Sequence, residues 1–249
     1  MTGAKRVELK PIAVEMKPLA YEVAGSGPPL ILLHGLSGSG RWWGRNVPAF
    51  ATSFQTYTVD LPGFGASRRV RWLRLDDTAD RLADWIAAKG LSQVNVVGHS
   101  LGGAVAARLA SLYPDCVGRL VLVDAAIRSP GKRADARAMG VVHAISRGSP
   151  GFAPMFMRDF LRSHPWSLLA ATIDALQTDW ELHLTQISAP TLVVWGEHDV
   201  ITPLALGHGI AASVAGARLI TLADAGHNPM WERAEVFNAE VLSFLKSHH

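Results

Sequence analysis

The chain has 249 residues, 49% of them apolar, and a formal net charge of +3. That apolar share supplies a full hydrophobic core and excludes a disordered chain. The small basic excess does not alternate with aromatic residues as nucleic-acid-binding modules require, so no nucleic acid is expected as a partner. The lone Cys116 excludes an internal disulfide framework and fits a reducing compartment. Its setting, Tyr113-Pro-Asp-Cys-Val117, is a polar turn, which marks it as a structural or surface thiol. The N-terminal stretch lacks an apolar signal core, and no run approaches the ~18 apolar residues of a membrane span. The expectation is a cytoplasmic protein with no stable membrane insertion.

In chain order, Val7–Leu9 and Leu19–Val23 are expected to form an antiparallel edge hairpin. Short apolar runs follow at Leu30–Leu33, Tyr57–Asp60, Val94–Val97, Arg119–Asp124 and Thr191–Trp195, and these predict buried parallel strands. Between them lie helices. Leu75–Lys89 places Leu75, Ala79, Leu82 and Ile86 on one face, with Asp76 and Asp77 at its start and Gly90 at its end. Arg218–Leu222 is the last predicted strand and Ala234–Leu245 the last predicted helix. From Ile127 to Ile187 there is no strand pattern, only helical pieces broken by Pro130, Pro150, Pro154 and Pro165. About 60 residues is too long for a simple crossover. The reading is one α/β domain with a mostly parallel, doubly wound sheet of about eight strands. Its core is 1–126 and 188–249, and 127–187 is an inserted helical lid.

Gly98-His99-Ser100-Leu101-Gly102 joins a strand to a helix and matches the nucleophile-elbow pattern in the context that the pattern requires. The turn strains Ser100 and brings strand and helix backbones together, so side chains at 98 and 102 would clash. A serine hydroxyl needs a base. Among ten histidines, His227 sits between the last strand and last helix, on the edge of the sheet that also carries Ser100. His34 and His99 flank motifs instead of facing the serine. The base needs an acid, and two aspartates end strands on that edge. Asp199, after Gly196, is favoured over Asp124, which is assigned to ordering the loop at the lid entry; Glu197 sits too early in the turn to reach. Oxyanion donors are expected at the N–H groups of Leu101 and of Leu36, in His34-Gly-Leu-Ser-Gly-Ser-Gly40, with the Ser37 hydroxyl as a substitute. That glycine-rich loop lacks the order of a dinucleotide fingerprint and the Lys of a P-loop. No His/Cys spacing supports a zinc site. Neither a metal nor an organic cofactor is expected.

His34-Gly35, Asp60-Leu-Pro-Gly-Phe-Gly-Ala-Ser67, Gly98–Gly102, Gly196-Glu-His-Asp199 and Gly226-His227, in that order, resemble the α/β-hydrolase fold family over nearly the whole chain. The resemblance implies Ser100, Asp199 and His227 as triad, Leu36 and Leu101 as oxyanion hole, and a structural role for Asp60–Ser67. The serine sets the chain apart from haloalkane dehalogenases and epoxide hydrolases, which carry aspartate there. Carbon–carbon bond hydrolases, lactonases, perhydrolases, thioesterases and receptors with a slow triad share the serine arrangement, and fold alone does not choose among them.

Lid residues Phe152, Met155, Phe156, Phe160 and Trp166, with Ser37, Ile201 and Met230, are candidates for an apolar pocket. Such a pocket suits an ester with a small to medium apolar acyl or alkyl group. The alternatives are a carbon–carbon hydrolase of dienone-type acids, with Asn46 and Arg41 holding the keto-acid, or a small-molecule receptor. Residues 127–165 carry Arg128, Lys132, Arg133, Arg137, Arg147, Arg158 and Arg162 against Asp135 and Asp159, and Arg68-Arg-Val-Arg-Trp-Leu-Arg74 adds a second basic run. These residues either form a solvated surface or steer an anionic substrate or an acidic carrier protein.

Overall fold

The apolar runs form strands buried on both faces, and their alternating side chains feed two separate cores. Leu30 and Leu32 join one cluster with Val97, Val121, Val123, Leu192 and Val194. Ile31 and Leu33 join the other with Val94, Val96, Leu120, Leu122 and Val193. Period-two alternation explains the split, since neighbours on a strand point to opposite faces.

The computed structural model describes residues 18–72, 74–127, 151–178 and 180–247. Its strands are β1 (Tyr21–Ala24), β2 (Pro29–Leu33), β3 (Gln55–Val59), β4 (Val94–His99), β5 (Val117–Val123), β6 (Thr191–Gly196) and β7 (Arg218–Leu222). They lie in the order β1-β3-β2-β4-β5-β6-β7. All neighbours are parallel except β1, which runs antiparallel to β3. The sheet therefore has seven strands among the described residues. The expected hairpin partner Val7–Leu9 lies outside them, and β1 takes its edge position by pairing with β3.

The helices are α1 (Val47–Phe50), α2 (Leu75–Ala88), α3 (Leu101–Leu112), α4 (Ala153–Arg162), α5 (Pro165–Gln177), α6 (Trp180–Thr185), α7 (Leu204–Ser213), α8 (Pro229–Glu232) and α9 (Ala234–Lys246). α2 and α3 pack on the Ile31 face through Leu75, Ala79, Leu82, Val105 and Leu109, and α9 packs on the Leu30 face through Phe237, Val241 and Phe244. Buried Arg108 of α3 holds Asp76 of α2 through two hydrogen bonds of 2.5 and 3.0 Å, so that acid serves a helix–helix pair as well as the α2 dipole. Cys116 is half-buried in a single turn before β5, and burial pushes its thiol up, away from nucleophilic use.

The segment between β5 and β6 is helical where described (α4 to α6). The order of strands also fixes where a ligand binds. From β2 the chain winds outward to β3, whereas from β4 it winds the other way to β5. Such a switch point opens a crevice at the carboxyl ends of the strands. The loop after β2 and the turn after β4 flank it.

Candidate active site

Ser100 has φ 51° and ψ −115°, a left-handed backbone conformation that costs energy for any residue but glycine. Three hydrogen bonds hold it there: its N–H donates to Val123 O (2.9 Å), and its carbonyl accepts from Ala126 N–H (2.9 Å) and Ala104 N–H (3.1 Å). A Cβ on Gly98 would strike the Gly102 carbonyl, and one on Gly102 would come within 2.5 Å of the Leu33 and His34 carbonyls. Both glycines are there because strand and helix backbones touch. The elbow is thus braced from β2 and β5 at once.

The Ser100 hydroxyl donates to His227 Nε2 at 3.1 Å, and His227 Nδ1–H donates to Asp199 Oδ2 at 2.7 Å. Asp199 also accepts the Ile201 and Thr202 N–H groups on Oδ1 (2.7 and 3.0 Å) and the Thr202 hydroxyl on Oδ2 (2.5 Å). Its burial opposes ionisation. The charge and hydrogen bond of His227 and the Thr202 hydroxyl outweigh that burial and hold the carboxyl at about 2. Thr202 has a local signal in the sequence, a hydroxyl three residues after an aspartate, the spacing of side-chain-to-backbone turns.

Among the described residues, the Asp124 carboxyl makes no hydrogen bond to the lid entry. It is fully buried, and its Oδ1 accepts the Gly196 N–H at 3.0 Å, tying the end of β5 to the end of β6 beside Asp199. Glu197 is exposed and accepts the Asp224 N–H. His99 packs 4.9 Å from the His227 ring. Its Nε2 lies 2.7 Å from His227 O, and a carbonyl only accepts, so the His99 proton sits on Nε2. Burial, reinforced by His227, lowers His99 to about 3, so it braces the base as a neutral ring.

The loop after β2 is pinned from three sides. His34 Nδ1–H donates to Gly35 O (2.8 Å), and its Nε2 accepts the Leu61 N–H (3.0 Å). Asp60 accepts the N–H groups of Gly40 and Ala66, each at 2.7 Å, which makes the Asp60–Ser67 turn structural. From above, Asp159 of α4 accepts Ser39 Oγ–H (2.6 Å) and Trp42 Nε1–H (3.2 Å). Asp159 is only 3% exposed, and sequence reasoning counted it merely as surface charge. The signal was present: Phe152, Met155, Phe156, Asp159 and Ser163 share one helical face, so a carboxylate interrupts an apolar stripe. Among the described residues, the N–H groups of Leu36 and Leu101 donate to no protein acceptor, which leaves both free for an oxyanion.

A cavity of about 140 Å³ opens onto Ser100 and His227. Ser37, Phe152, Phe156, Phe160 and Ile201 line it together with Leu36. Leu168 of the lid lines it too, as do Trp42, His99 and Asn228, which sequence reasoning did not place there. Three expected residues lie elsewhere. Met155 packs against the Leu30-side core, Met230 is wholly buried in that core, and Trp166 is 49% exposed beneath the Arg71 guanidinium. All three sit at correct sequence distances, but α4, α5 and α8 turn them away from the cavity. Asn46 is spent on Met230 O and Asn238 (2.9 and 2.7 Å), and Arg41 is exposed. Arg128, Lys132, Arg133, Arg137 and Arg147 lie outside the described residues. No helix among the described residues is long and apolar enough to cross a membrane.

Residues 28–164 match the model of the alpha/beta hydrolase fold family, and 169–249 match that of TAP-like proteins. A 2-hydroxy-6-oxononadienedioate/2-hydroxy-6-oxononatrienedioate hydrolase of Burkholderia vietnamiensis is 29% identical over 91% of this chain and 90% of its own. A pimeloyl-[acyl-carrier protein] methyl ester esterase of Nitrosomonas europaea is 32% identical over 89% of this chain and 97% of its own. Among solved structures, a thermophilic esterase of Thermogutta terrifontis superposes with a TM-score of 0.80 at 25% identity, covering 92% of this chain and 93% of its own. With the sheet order, the elbow and these matches in agreement, the chain belongs to the alpha/beta hydrolase fold family and is a hydrolase.

Proposed function

We propose that Ser100, His227 and Asp199 form the triad of a carboxylic-ester hydrolase acting on neutral esters with compact apolar acyl groups, with residues 127–187 as its lid. His227 takes the Ser100 proton as Oγ attacks the ester carbonyl. The Leu36 and Leu101 N–H groups hold the oxyanion, helped by the N-terminal dipole of α3. His227 then returns the proton to the leaving alcohol, activates a water against the acyl-enzyme, and the acid departs. Asp199 fixes the imidazole tautomer and stabilises its charge.

The observation that carries this reading is the lining of the cavity. Its described wall holds aromatic and aliphatic groups and no arginine or lysine. A carboxylate substrate of the dienone-acid type calls for a cation, and none stands among the described lining residues; Asn46 is spent on Met230 O and Asn238. A cavity near 140 Å³ suits a group the size of benzene, about six carbons. The test is hydrolysis of p-nitrophenyl esters from acetate to dodecanoate, with Ser100→Ala alongside. Serine-dependent release that peaks at or below the hexanoate supports the reading. Release equal to the Ser100→Ala background on every ester, with turnover of a dienone acid, overturns it.

A second reading concerns delivery of the substrate. Arg158 and Arg162 are exposed on α4 next to exposed Phe160, Leu161 and Trp166, with Arg71 over the Trp166 ring. A cationic and apolar face suits an acidic carrier protein bearing the ester, and the Nitrosomonas relative is named for such a substrate. Arg158→Glu with Arg162→Glu should then slow turnover of a carrier-bound ester while sparing the free ester. Equal effects on both leave the face without that role.

A further inference from the structure

The wall behind His227 contains two buried carboxyls where the chemistry proposed above needs one. Asp124 and Asp199 each place an oxygen, and His227 a nitrogen, within 4.8 Å of one another. Two carboxylates this close in a dry wall cannot both stay ionised. The hydrogen bonds decide which one keeps the charge. Asp199 accepts four, from the Ile201 and Thr202 N–H groups, the Thr202 hydroxyl and His227. Asp124 accepts one, from Gly196, and its Oδ2 is buried with no partner among the described residues. Burial and the adjacent Asp199 charge accordingly raise Asp124 well above the usual carboxylate range, and Asp124 stays protonated.

We propose that Asp124 is a reserve acid for His227, silent while Asp199 is charged and able to take its place when that charge is removed. The inference rests on the triad reading above. Its logic is electrostatic and geometric together. Loss of the Asp199 anion removes the repulsion that keeps Asp124 neutral and vacates the volume between Asp124 and the imidazole. Asp124 then releases its proton to solvent, and its anion accepts His227 Nδ1–H. Reaching hydrogen-bond distance requires closing a gap of at most about 2 Å, within the swing of one side-chain rotamer change. The Thr202 hydroxyl, 3.3 Å from His227 Nδ1 and 3.2 Å from Asp124 O, stays in place to brace the new pair. The backbone of Asp124 is itself held in a left-handed conformation, φ 39°, which keeps the residue at this edge of the sheet.

The test is a cycle of four proteins: wild type, Asp124→Asn, Asp199→Ala and the double variant, each checked for its folded spectrum. Loss of a triad acid with no stand-in costs roughly 10⁴-fold in kcat. With the reserve in place, Asp199→Ala should cost only about 10²-fold, and Asp124→Asn should do at least about tenfold more damage in the Asp199→Ala background than in wild type. A merely structural Asp124 gives equal penalties in both backgrounds, and that result overturns the proposal. Independently of activity, the downfield proton NMR signal of His227 Nδ1–H should persist in Asp199→Ala and vanish in the double variant; its absence from the single variant overturns the proposal as well. If Asp199→Ala does not fold, Asp199→Ser, which also vacates the carboxylate volume and keeps a hydroxyl for the Ile201 and Thr202 N–H groups, enters the same cycle. Ser100→Ala separates the two claims. Full activity in that variant defeats the triad reading, whereas serine-dependent wild-type activity with equal penalties defeats only the reserve role.

Discussion

The floor and the roof of the cavity are built on different principles. The floor is made of strand ends: Ser100 after β4, Asp124 after β5, Asp199 after β6 and His227 after β7. Ser100 and Asp124 are fixed by sheet hydrogen bonds to Val123 O and Val194 O, Asp199 by a turn on Gly196 O, and His227 by the His99 ring on its carbonyl, so the fold itself places them. The roof is made of α4 and α5, whose Phe156, Phe160 and Leu168 meet the cavity by packing alone. Polar latches tie the roof to the rest: Asp159 on Ser39 and Trp42, the Ser163 hydroxyl on the Ser37 carbonyl, and Asp174 of α5 on the Leu75 N–H. The contrast teaches that, in the reaction proposed above, the rate of the chemical step is assigned to the strand ends and the choice of substrate to the helices.

The most severe way to break the floor is Ser100→Ala. It should lower kcat on the order of 10⁶-fold with the melting temperature nearly unchanged, checked by steady-state kinetics beside a thermal melt. Next comes the latch. Asp159→Ala leaves a buried hydroxyl and a buried indole N–H without an acceptor, a loss of about 1–3 kcal/mol for each. It also releases the loop that carries the Leu36 N–H, for which kcat should fall by up to about 10²-fold. Asp159→Asn retains an acceptor oxygen and should recover most of the rate; failure of that rescue would show that the charge, not the hydrogen bonds, matters.

Smaller effects sharpen the division of labour. Phe160→Ala should enlarge the roof and raise kcat/KM for decanoate relative to butyrate by about tenfold, with kcat for butyrate little altered. A parallel loss on both esters would mean that the roof contributes to the chemical step. The smallest effect concerns acid stability. Unfolded, His99 titrates near 6.5; folded, it titrates at about 3. Unfolding therefore takes up a proton below pH 6.5, and stability is full above that pH and drains away as pH falls towards 3. His34 is lowered by burial and adds a loss of the same sign. His99→Gln, which retains an N–H for the His227 carbonyl, should reduce the fall in melting temperature between pH 7.5 and 4.5 without abolishing it.

Much of the floor was legible because its signals are local. A strained serine between Gly98 and Gly102 needs small neighbours, and strand ends announce themselves by an apolar run that stops. Asp199 was separable from Asp124 by its turn, yet the position of Asp124 behind the base was not, since that depends on the β5–β6 register. The roof was legible only as a helical stretch. Met155, Met230 and Trp166 lie at plausible distances along the chain, but the rotation of each helix about its axis is set by packing partners far away in sequence. Asp159 belongs to the same class: its helical face was readable, its partners Ser39 and Trp42 were not.

The sequence by itself determined the alternation of strand and helix, the elbow, and the placing of Ser100, Asp199 and His227 at one edge of the sheet. Backbone sterics and hydrophobic periodicity act over a few residues, so they are written locally. Only the tertiary structure decided that two carboxyls lie side by side behind His227, that the cavity is compact, and that a buried aspartate joins helix to loop. Those outcomes come from desolvation and from contacts between segments more than 70 residues apart, and no local pattern encodes them.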